Sequence, residues 1–250
     1  MPFLTINPFH RKARTTQNKN ISAWFIALSA IFSTSVFADT LTPYRAEYEV
    51  SRKGSVQGSA LRELTKNTDN TYVLTYQSDI EWMIFSDERN ERAKFKMSEN
   101  QAIPLEYSMS RKGTGPDKQY NLVFDQNKKQ IFSSKNKHPL KIDWKADQKD
   151  LLTYQFQLRQ DLKAGKTSFS YPIIDKNGNQ RNYDFEVDGK ETITLPIGNV
   201  ETIRVKRLYD NNKRQATAWF APEYDYLLVK MYKGKEGIEQ FQVQLKQYDK

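Results

Sequence analysis

Cysteine is absent from the 250-residue sequence, and histidine occurs only twice. Without thiols the chain has no disulfides, no cysteine nucleophile and no thiolate metal site. A serine-hydrolase triad needs a histidine to accept and return a proton, and the usual zinc sites need two or three His or Cys ligands. His10 lies in an N-terminal segment expected to be removed, and His138 lies beside a proline in a polar stretch. We therefore expect a protein that is not an enzyme, with no catalytic residue, no metal and no cofactor.

The sequence also lacks an apolar run of roughly 20 residues, the length that a transmembrane helix needs. Its run ISAWFIALSAIF, residues 21–32, is preceded by basic residues and followed by Val36-Phe37-Ala38. This pattern predicts a secretory signal peptide at residues 1–38, cleaved after Ala38. Residues 39–250 are then expected in the periplasm of a Gram-negative bacterium. No cysteine stands at the cleavage site, which excludes lipoprotein attachment, so membrane contact is expected to be peripheral at most.

Blocks of like charge are missing as well. The sequence has 39 Lys and Arg against 30 Asp and Glu, a net charge of +9. Four of the basic residues and none of the acidic ones lie in residues 1–38, so the exported part carries +5. Basic and acidic residues are interspersed, as on a solvated surface. Together with export, this argues against nucleic acid as a partner and leaves weak attraction to anionic lipid head groups or an acidic glycan open.

Alternation with a period of two dominates residues 39–250. Tyr44, Ala46, Tyr48 and Val50 alternate with polar neighbours in YRAEYEV, and TYVLTYQSDI and FQVQLKQY repeat the pattern. Such alternation places one face of a strand on a core and the other in water, as antiparallel sheets allow. The pattern predicts about six strands before residues 147–165 and about six after them.

Turn residues separate these runs, because Asn-Gly and Asp-Gly pairs supply the positive φ angles of tight hairpins. Residues 133–147 are predicted as the longest loop. They place a candidate boundary near residues 133–165 between two halves of what is otherwise a single β-rich domain. Hairpin turns are predicted at residues 52–54, 67–70, 113–116, 176–179, 188–189, 210–212 and 233–235.

One segment, DQKDLLTYQFQLRQDLKAG at residues 147–165, has helical spacing instead. Asp147 is the predicted N-cap and Gly165 fits the C-terminal cap. Apolar residues at spacings of three and four predict one amphipathic helix that lies across the sheet. They are Leu151, Tyr154, Leu158 and Leu162.

Acidic pairs give a weak functional signal. Asp79 and Glu81 flank Ile80 and would point to the same face of a strand, where a carboxylate pair could serve glycoside hydrolysis. Alternating acidic residues are equally typical of the wet face of a sheet, which is the preferred interpretation.

Aromatic residues are the strongest unusual feature. Trp82 and Phe85 form an apolar cluster at the end of a predicted strand, where they could make the lip of a cavity. In TAWFAPEYDYLLVKM, residues 217–231, Pro222 fits a turn between two strands. Both of these strands carry apolar side chains on two faces, and the strand before Pro222 is expected to be an inner strand. An aromatic residue at strand spacing more often packs in a core than contacts a ligand. As ligand-binding residues, the sequence predicts Trp82, Phe85, Trp219 and Tyr226.

Six stretches of the chain carry a resemblance to a known family. They are YRAEYEV with Gly54 and Gly58, IPLEY, VFD, DLLTYQFQLRQDLKAG, LPIGNVETIRVKR and TAWFAPEYDYLLVKM. Together they resemble the bacterial exported family catalogued as domain of unknown function 3108. The family brings no established activity, so the resemblance implies no catalytic residue. The aromatic-Pro-strand layout is also similar, in architecture only, to the lipoprotein-carrier proteins of the periplasm.

The sequence thus predicts a mainly β protein, with an antiparallel, strongly curved sheet or open barrel and one amphipathic helix packed against it. The first functional hypothesis is a non-enzymatic binding protein for a lipid or another apolar or amphipathic ligand of the cell envelope. The alternative is an envelope scaffold that binds a protein or glycan and no small molecule.

Overall fold

A computed structural model of the chain describes residues 41–250, so the predicted signal peptide lies outside the described residues. These residues form thirteen strands, one α-helix and one 3-10 turn. The strands before the helix are β1 (Tyr44–Arg52), β2 (Ser55–Lys66), β3 (Thr71–Trp82), β4 (Phe85–Ser98), β5 (Gln101–Gly113), β6 (Lys118–Asp125) and β7 (Gln130–Ser133). The helix is α1 (Thr153–Lys163). After it come β8 (Ser168–Ile174), β9 (Gln180–Leu195), β10 (Gly198–Leu208), β11 (Arg214–Ala221), η1 (Pro222–Tyr224), β12 (Leu227–Lys235) and β13 (Ile238–Asp249).

The strands form one antiparallel sheet in the order β7-β6-β5-β4-β3-β2-β1-β13-β12-β11-β10-β9-β8. All pairs of neighbouring strands but one are consecutive in the chain and joined by a hairpin connection. The exception is the pair of β1 and β13, in which Tyr48 lies opposite Leu245. β7 and β8 are the two edge strands, and the sheet is not closed into a barrel. The predicted fold class, a curved antiparallel sheet with one helix, is confirmed.

The period-two pattern is the physical basis of the sheet. Tyr44, Ala46, Tyr48 and Val50 are all buried on one face of β1, while their neighbours are partly or fully exposed. The predicted hairpin at Pro222 is also present, with η1 between β11 and β12. β11 is an inner strand, as predicted from its two apolar faces, and β12 is one as well.

Two predicted turns are wrong. Asp188 and Gly189 lie within β9, where the register against β10 shifts between Arg204 and Val205, so the pair forms a β-bulge. Residues 233–235 end β12, and the turn follows them at Glu236 and Gly237. The same conformational freedom that suits a hairpin also suits a bulge. Seven strands precede the helix, against the predicted number of about six.

The helix begins later than predicted. Asp150, not Asp147, supplies the cap: its carboxylate accepts the backbone N–H groups of Leu152 and Thr153, both at 2.8 Å. Residues 147–150 instead lie along the edge strand, where Lys149 forms a parallel bridge with Ile173 of β8. Tertiary pairing of these residues therefore delays the helix. Gly165 ends it as predicted, with its N–H bonded to the Leu162 carbonyl.

Buried polar contacts hold α1 against the sheet from two sides. The Gln157 amide accepts from the Ala102 N–H at 2.7 Å and donates to the Asn100 carbonyl at 2.9 Å. On the other side, Asp161 accepts from the Tyr171 hydroxyl at 2.7 Å. These contacts fix the helix between the β4–β5 turn and β8.

Two apolar clusters share the helix. Phe156 packs with Phe95 of β4, ring centroids 4.9 Å apart, in the larger cluster. Leu158 and Leu162 belong to a smaller cluster with residues of β8, β10 and β11. Burial of one such side chain stabilises the fold by about 1.5–3 kcal/mol. The helix therefore packs onto the concave face of the sheet, and the two clusters leave a space between them.

Candidate ligand-binding cavity

A cavity of about 210 Å3 lies between α1 and the concave face of the sheet, and we call it the interior cavity. Its walls come from the helix and from β1–β4 on one side and β9–β13 on the other. The lining is mostly apolar or aromatic, because these positions carry the inward side of the alternating strands. The lining residues from the helix segment are Leu152, Tyr154, Gln155 and Leu158. The apolar and aromatic ones from the strands include Tyr48, Tyr76, Phe185, Val205, Ala216, Ala218, Phe220, Leu228, Met231, Phe241 and Val243.

Charged side chains also face this cavity. Four of them are cations, each from a different strand, and one is a carboxylate. The cations are Arg62 on β2, Arg89 on β4, Arg207 on β10 and Lys233 on β12, and the carboxylate is Glu91 on β4. Because β4 and β12 lie five positions apart in the sheet order, the cations meet across the curved interior.

Arg62 and Arg207 are held by polar and aromatic partners. Nη2 of Arg62 donates to the side-chain oxygen of Gln155 on the helix at 2.7 Å. The guanidinium carbon of Arg207 lies 3.4 Å from the ring centroid of Tyr183 and 4.7 Å from that of Tyr209. Nε of both arginines is buried without a hydrogen-bond partner among the described residues. Buried N–H donors of this kind are costly to leave unpaired.

Glu91 partly offsets the positive charge. It accepts the Tyr107 hydroxyl at 2.7 Å, and an Nη of Arg89 lies 3.8 Å from its carboxylate. Across the cavity, Nζ of Lys233 lies 5.4 Å from the Phe241 ring centroid. Solvent reaches Lys233, although protein atoms surround it within the concave face. That environment lowers the pKa of Lys233, and the nearby charges of Arg89 and Arg207 lower it further.

Three tyrosines of the cavity have a raised pKa and stay neutral near pH 7. Burial is the main reason that the pKa values of Tyr48, Tyr76 and Tyr154 are raised above the ordinary value of 10. A neutral phenol in an apolar wall offers a hydrogen bond and a ring face, and not a strong nucleophile. These side chains are therefore suited to packing and orientation.

The structure places the predicted site residues in two other regions. Trp82 and Phe85 stack with ring centroids 5.7 Å apart at the β3–β4 turn. The Trp219 indole N–H donates to Glu191 at 2.7 Å. Tyr226 has a φ of 58° after η1 and packs against the smaller cluster. None of the four lines the interior cavity, and their contact with a ligand stays a prediction.

Trp82 and Phe85 line a second space of about 220 Å3, which we call the tip pocket. The Arg52 guanidinium lies 4.0 Å from the Trp82 ring centroid at its edge. Phe241 lines both the tip pocket and the interior cavity. The turn beside the tip pocket exposes Met83 and Ile84, each 85% accessible.

Sequence reasoning missed the four cations, although a signal for them exists. Arg62 lies on the buried face between Ala60 and Leu64, and Lys233 follows Met231 at a spacing of two. A cation in the inward phase of an alternating strand breaks the expected pattern and marks a position for inspection. Asp79 and Glu81 show the opposite case, because both are exposed, as a wet surface predicts.

Two absences among residues 41–250 bear on the chemistry. No group of three or more His, Asp or Glu side chains in this range is arranged to hold a metal ion. No helix of the same residues is long and apolar enough to cross a membrane.

An antiparallel sheet that curves around a helix without closing, and that encloses a mixed apolar and cationic cavity, defines an open, β-barrel-like protein. The protein-family model described as "Protein of unknown function (DUF3108)" matches residues 47–234, so the chain belongs to that family. The resemblance seen in the sequence is confirmed.

A solved structure of similar fold supports this class of protein. A β-barrel-like protein of domain of unknown function DUF1849 from Brucella abortus has a TM-score of 0.56 at 11% identity, over 84% of this chain and 98% of that chain. Two further structures are similar to a lower degree. A "putative lipoprotein" from Parabacteroides distasonis ATCC 8503 has a TM-score of 0.31 at 11% identity, over 84% and 96%. A "putative exported protein with YmcC-like fold" from Bacteroides fragilis NCTC 9343 has a TM-score of 0.34 at 10% identity, over 84% and 97%. No curated protein matches the chain.

Proposed function

We propose that this protein is an exported, non-enzymatic binding protein that holds a lipid or another apolar or amphipathic ligand of the cell envelope in the interior cavity. The observation that carries the proposal is the cavity itself, which is lined on most sides by apolar and aromatic groups. Ligand sites have this concave, mainly apolar character with a few polar groups. Export rests on the signal peptide predicted at residues 1–38.

The size of the cavity limits what it encloses. Its 210 Å3 is below the usual ligand range of about 300–1,000 Å3, whereas a cavity of about 150 Å3 accepts a benzene ring. The interior cavity thus accommodates a ring or part of an alkyl chain. Lys233 and Arg89 are partly or fully exposed beside it, so the remainder of a longer ligand would extend to solvent there.

Native mass spectrometry tests the proposal first. The protein is expressed from the full-length sequence, purified from the periplasm without detergent and measured before and after organic extraction. A discrete added mass that reappears as a lipid in the extract supports the proposal. A bare mass, together with no binding of a neutral apolar fluorophore such as N-phenyl-1-naphthylamine, contradicts it.

A cavity-filling variant locates the binding. Ala216 lines the interior cavity, so Ala216→Trp should fill it and reduce fluorophore binding at least tenfold. Ala146 is exposed in the turn that precedes the helix segment and does not line the cavity. Ala146→Trp therefore makes the same change outside the cavity. Equal binding by both variants would place the fluorophore elsewhere.

The alternative function, an envelope scaffold, is favoured by a different observation. Four consecutive apolar residues, Trp82-Met83-Ile84-Phe85, are exposed at the β3–β4 turn. Exposed apolar patches of this kind mark interaction sites. A photo-crosslinking residue at Ile84 in intact cells should capture one discrete envelope protein if this function holds. Capture of none, with lipid present in the native protein, favours the binding function.

A further inference from the structure

The interior cavity differs in charge from the outer surface of the sheet. On the convex face, cations are paired with carboxylates: Arg45 with Glu63 at 2.7 Å and Lys206 with Glu186 at 2.8 Å. Inside, only Arg89 has a carboxylate within 4 Å among residues 41–250. Arg62, Arg207 and Lys233 have none in that range of the chain.

This excess of positive charge is set within a concave, partly desolvated space. Arg62 is 6% exposed, and its Nε has no partner among the described residues. Burying a charge without a counter-charge is unfavourable, and cations that meet across a cavity repel one another. The pKa of Lys233 is lowered first by the protein atoms that surround it and then by repulsion from the charges of Arg89 and Arg207. An anion bound between these groups would remove the repulsion.

We infer that the interior cavity recognises an anionic group, a carboxylate or a phosphate, on an apolar ligand, with Arg207, Lys233, Arg62 and Arg89 as the binding cations. The inference rests on the proposed function and names its ligand class. The guanidinium groups supply N–H donors that match the oxygens of either anion. The apolar remainder of the ligand packs against the helix residues Leu152 and Leu158 and the facing strands.

Three ligands with the same ten-carbon chain separate the charge from the chain: decanoate, decyl phosphate and decanol. Each displaces N-phenyl-1-naphthylamine from the protein, which is freed of co-purified ligand on a hydrophobic resin beforehand. We expect both anions to displace the fluorophore at concentrations at least tenfold lower than decanol. Raising the salt concentration from about 50 to about 500 mM should weaken the binding of both anions, since salt screens charge. The binding of decanol should stay unchanged.

Two cavity variants and one control assign the effect. Arg207→Met and Lys233→Met keep most of the side-chain length and remove the charge, and each should lose most of the preference for the anions while binding decanol as before. Lys230 does not line the interior cavity and lies 5.0 Å from the Trp219 ring centroid, so Lys230→Met should retain the preference.

The outcomes separate the two proposals. If decanol binds as well as the anions in the wild type, the anion inference is wrong and the apolar binding function stands. If neither the fluorophore nor any of the three ligands binds, the binding function itself is wrong. Tighter binding of decanoate than of decyl phosphate would indicate a fatty acid as the source of the anion, and the reverse would indicate a phospholipid.

Discussion

Arg62 on β2 donates a hydrogen bond to Gln155 on α1, with 2.7 Å between Nη2 and Oε1. It is the point where a charged group of the curved sheet meets the helix inside the cavity. Arg62 is buried, whereas Gln155 is partly exposed. Loss of either partner therefore has different consequences, because a buried cation without a partner is costly and a partly hydrated amide is not.

This asymmetry gives the first prediction. Gln155→Leu should lower the free energy of unfolding by about 1–3 kcal/mol, since it leaves the Arg62 guanidinium unpaired. Arg62→Met removes the charge itself and should leave stability unchanged or raise it by about 1 kcal/mol or more. Urea denaturation of both variants measures the difference. A larger loss in Arg62→Met than in Gln155→Leu would contradict it.

The second prediction concerns pH. Burial lowers the pKa of Lys149 from its ordinary 10.5 to about 8, against opposing effects of Asp147, Asp150 and Asp161. Between about pH 8 and 10.5 the unfolded chain binds this proton and the folded one does not, so stability rises with pH in that window. Across this pH window the free energy of unfolding of the wild type should rise by up to about 3 kcal/mol relative to that of Lys149→Met.

Guanidinium chloride denaturation of both proteins at four pH values between about 7 and 10 tests this dependence. Titration of tyrosines affects both proteins equally and cancels in the difference. A stability difference that stays constant with pH would show that Lys149 has an ordinary pKa.

The third prediction concerns a close approach of two strands. A Cβ on Gly58 would lie 2.0 Å from the carbonyl oxygen of Asp79 on β3, so Gly58→Ala should cost about 3 kcal/mol or more. Gly54 has a φ of 79° and open space around it; Gly54→Ala should cost only the backbone strain, about 1–2 kcal/mol. Thermal unfolding ranks the stability of the two variants. Equal losses of stability would argue against the close approach of residue 58 to the Asp79 carbonyl.

The fourth prediction tests the attachment of the helix. Buried Asp161 accepts hydrogen bonds from Tyr171, Gln157 and Lys166. Asp161→Ala leaves the buried donors of Tyr171 and Gln157 without this acceptor, whereas the exposed Lys166 is hydrated, so the free energy of unfolding should fall by about 1–3 kcal/mol for each buried donor. Asp117 is exposed, so Asp117→Ala should change it by less than about 0.5 kcal/mol. The midpoints of urea denaturation of Asp161→Ala and Asp117→Ala measure this difference.

Local patterns predicted much of this fold. Tyr44 and Ala46 alternate as a half-buried strand requires, and Pro222 ends a strand because it cannot donate to a ladder. The pairing of β1 with β13 was not predictable, since alternation says which face of a strand is buried and not which strand lies beside it. Asp150 replaced Asp147 as the helix cap because tertiary pairing of residue 149 with β8 decides where the helix begins.

The interior cavity shows the same limit. Arg62 and Lys233 each break the apolar alternation of one strand, which marks the position but does not by itself indicate a function. Their meaning appears only when the sheet order brings strands from both halves of the chain around the same helix. A charge excess inside a cavity is a property of several strands together, and spacing along one strand does not record it.

The pairing of the first strand with the last also bears on how the chain folds. β1 has β2 on one side from the start, but its other edge stays open until β13 has been made. Contacts between the ends of a chain form late, because closing a long loop is entropically slow. A chain that emerges N-terminus first would therefore keep one edge of β1 unpaired until β13 has emerged.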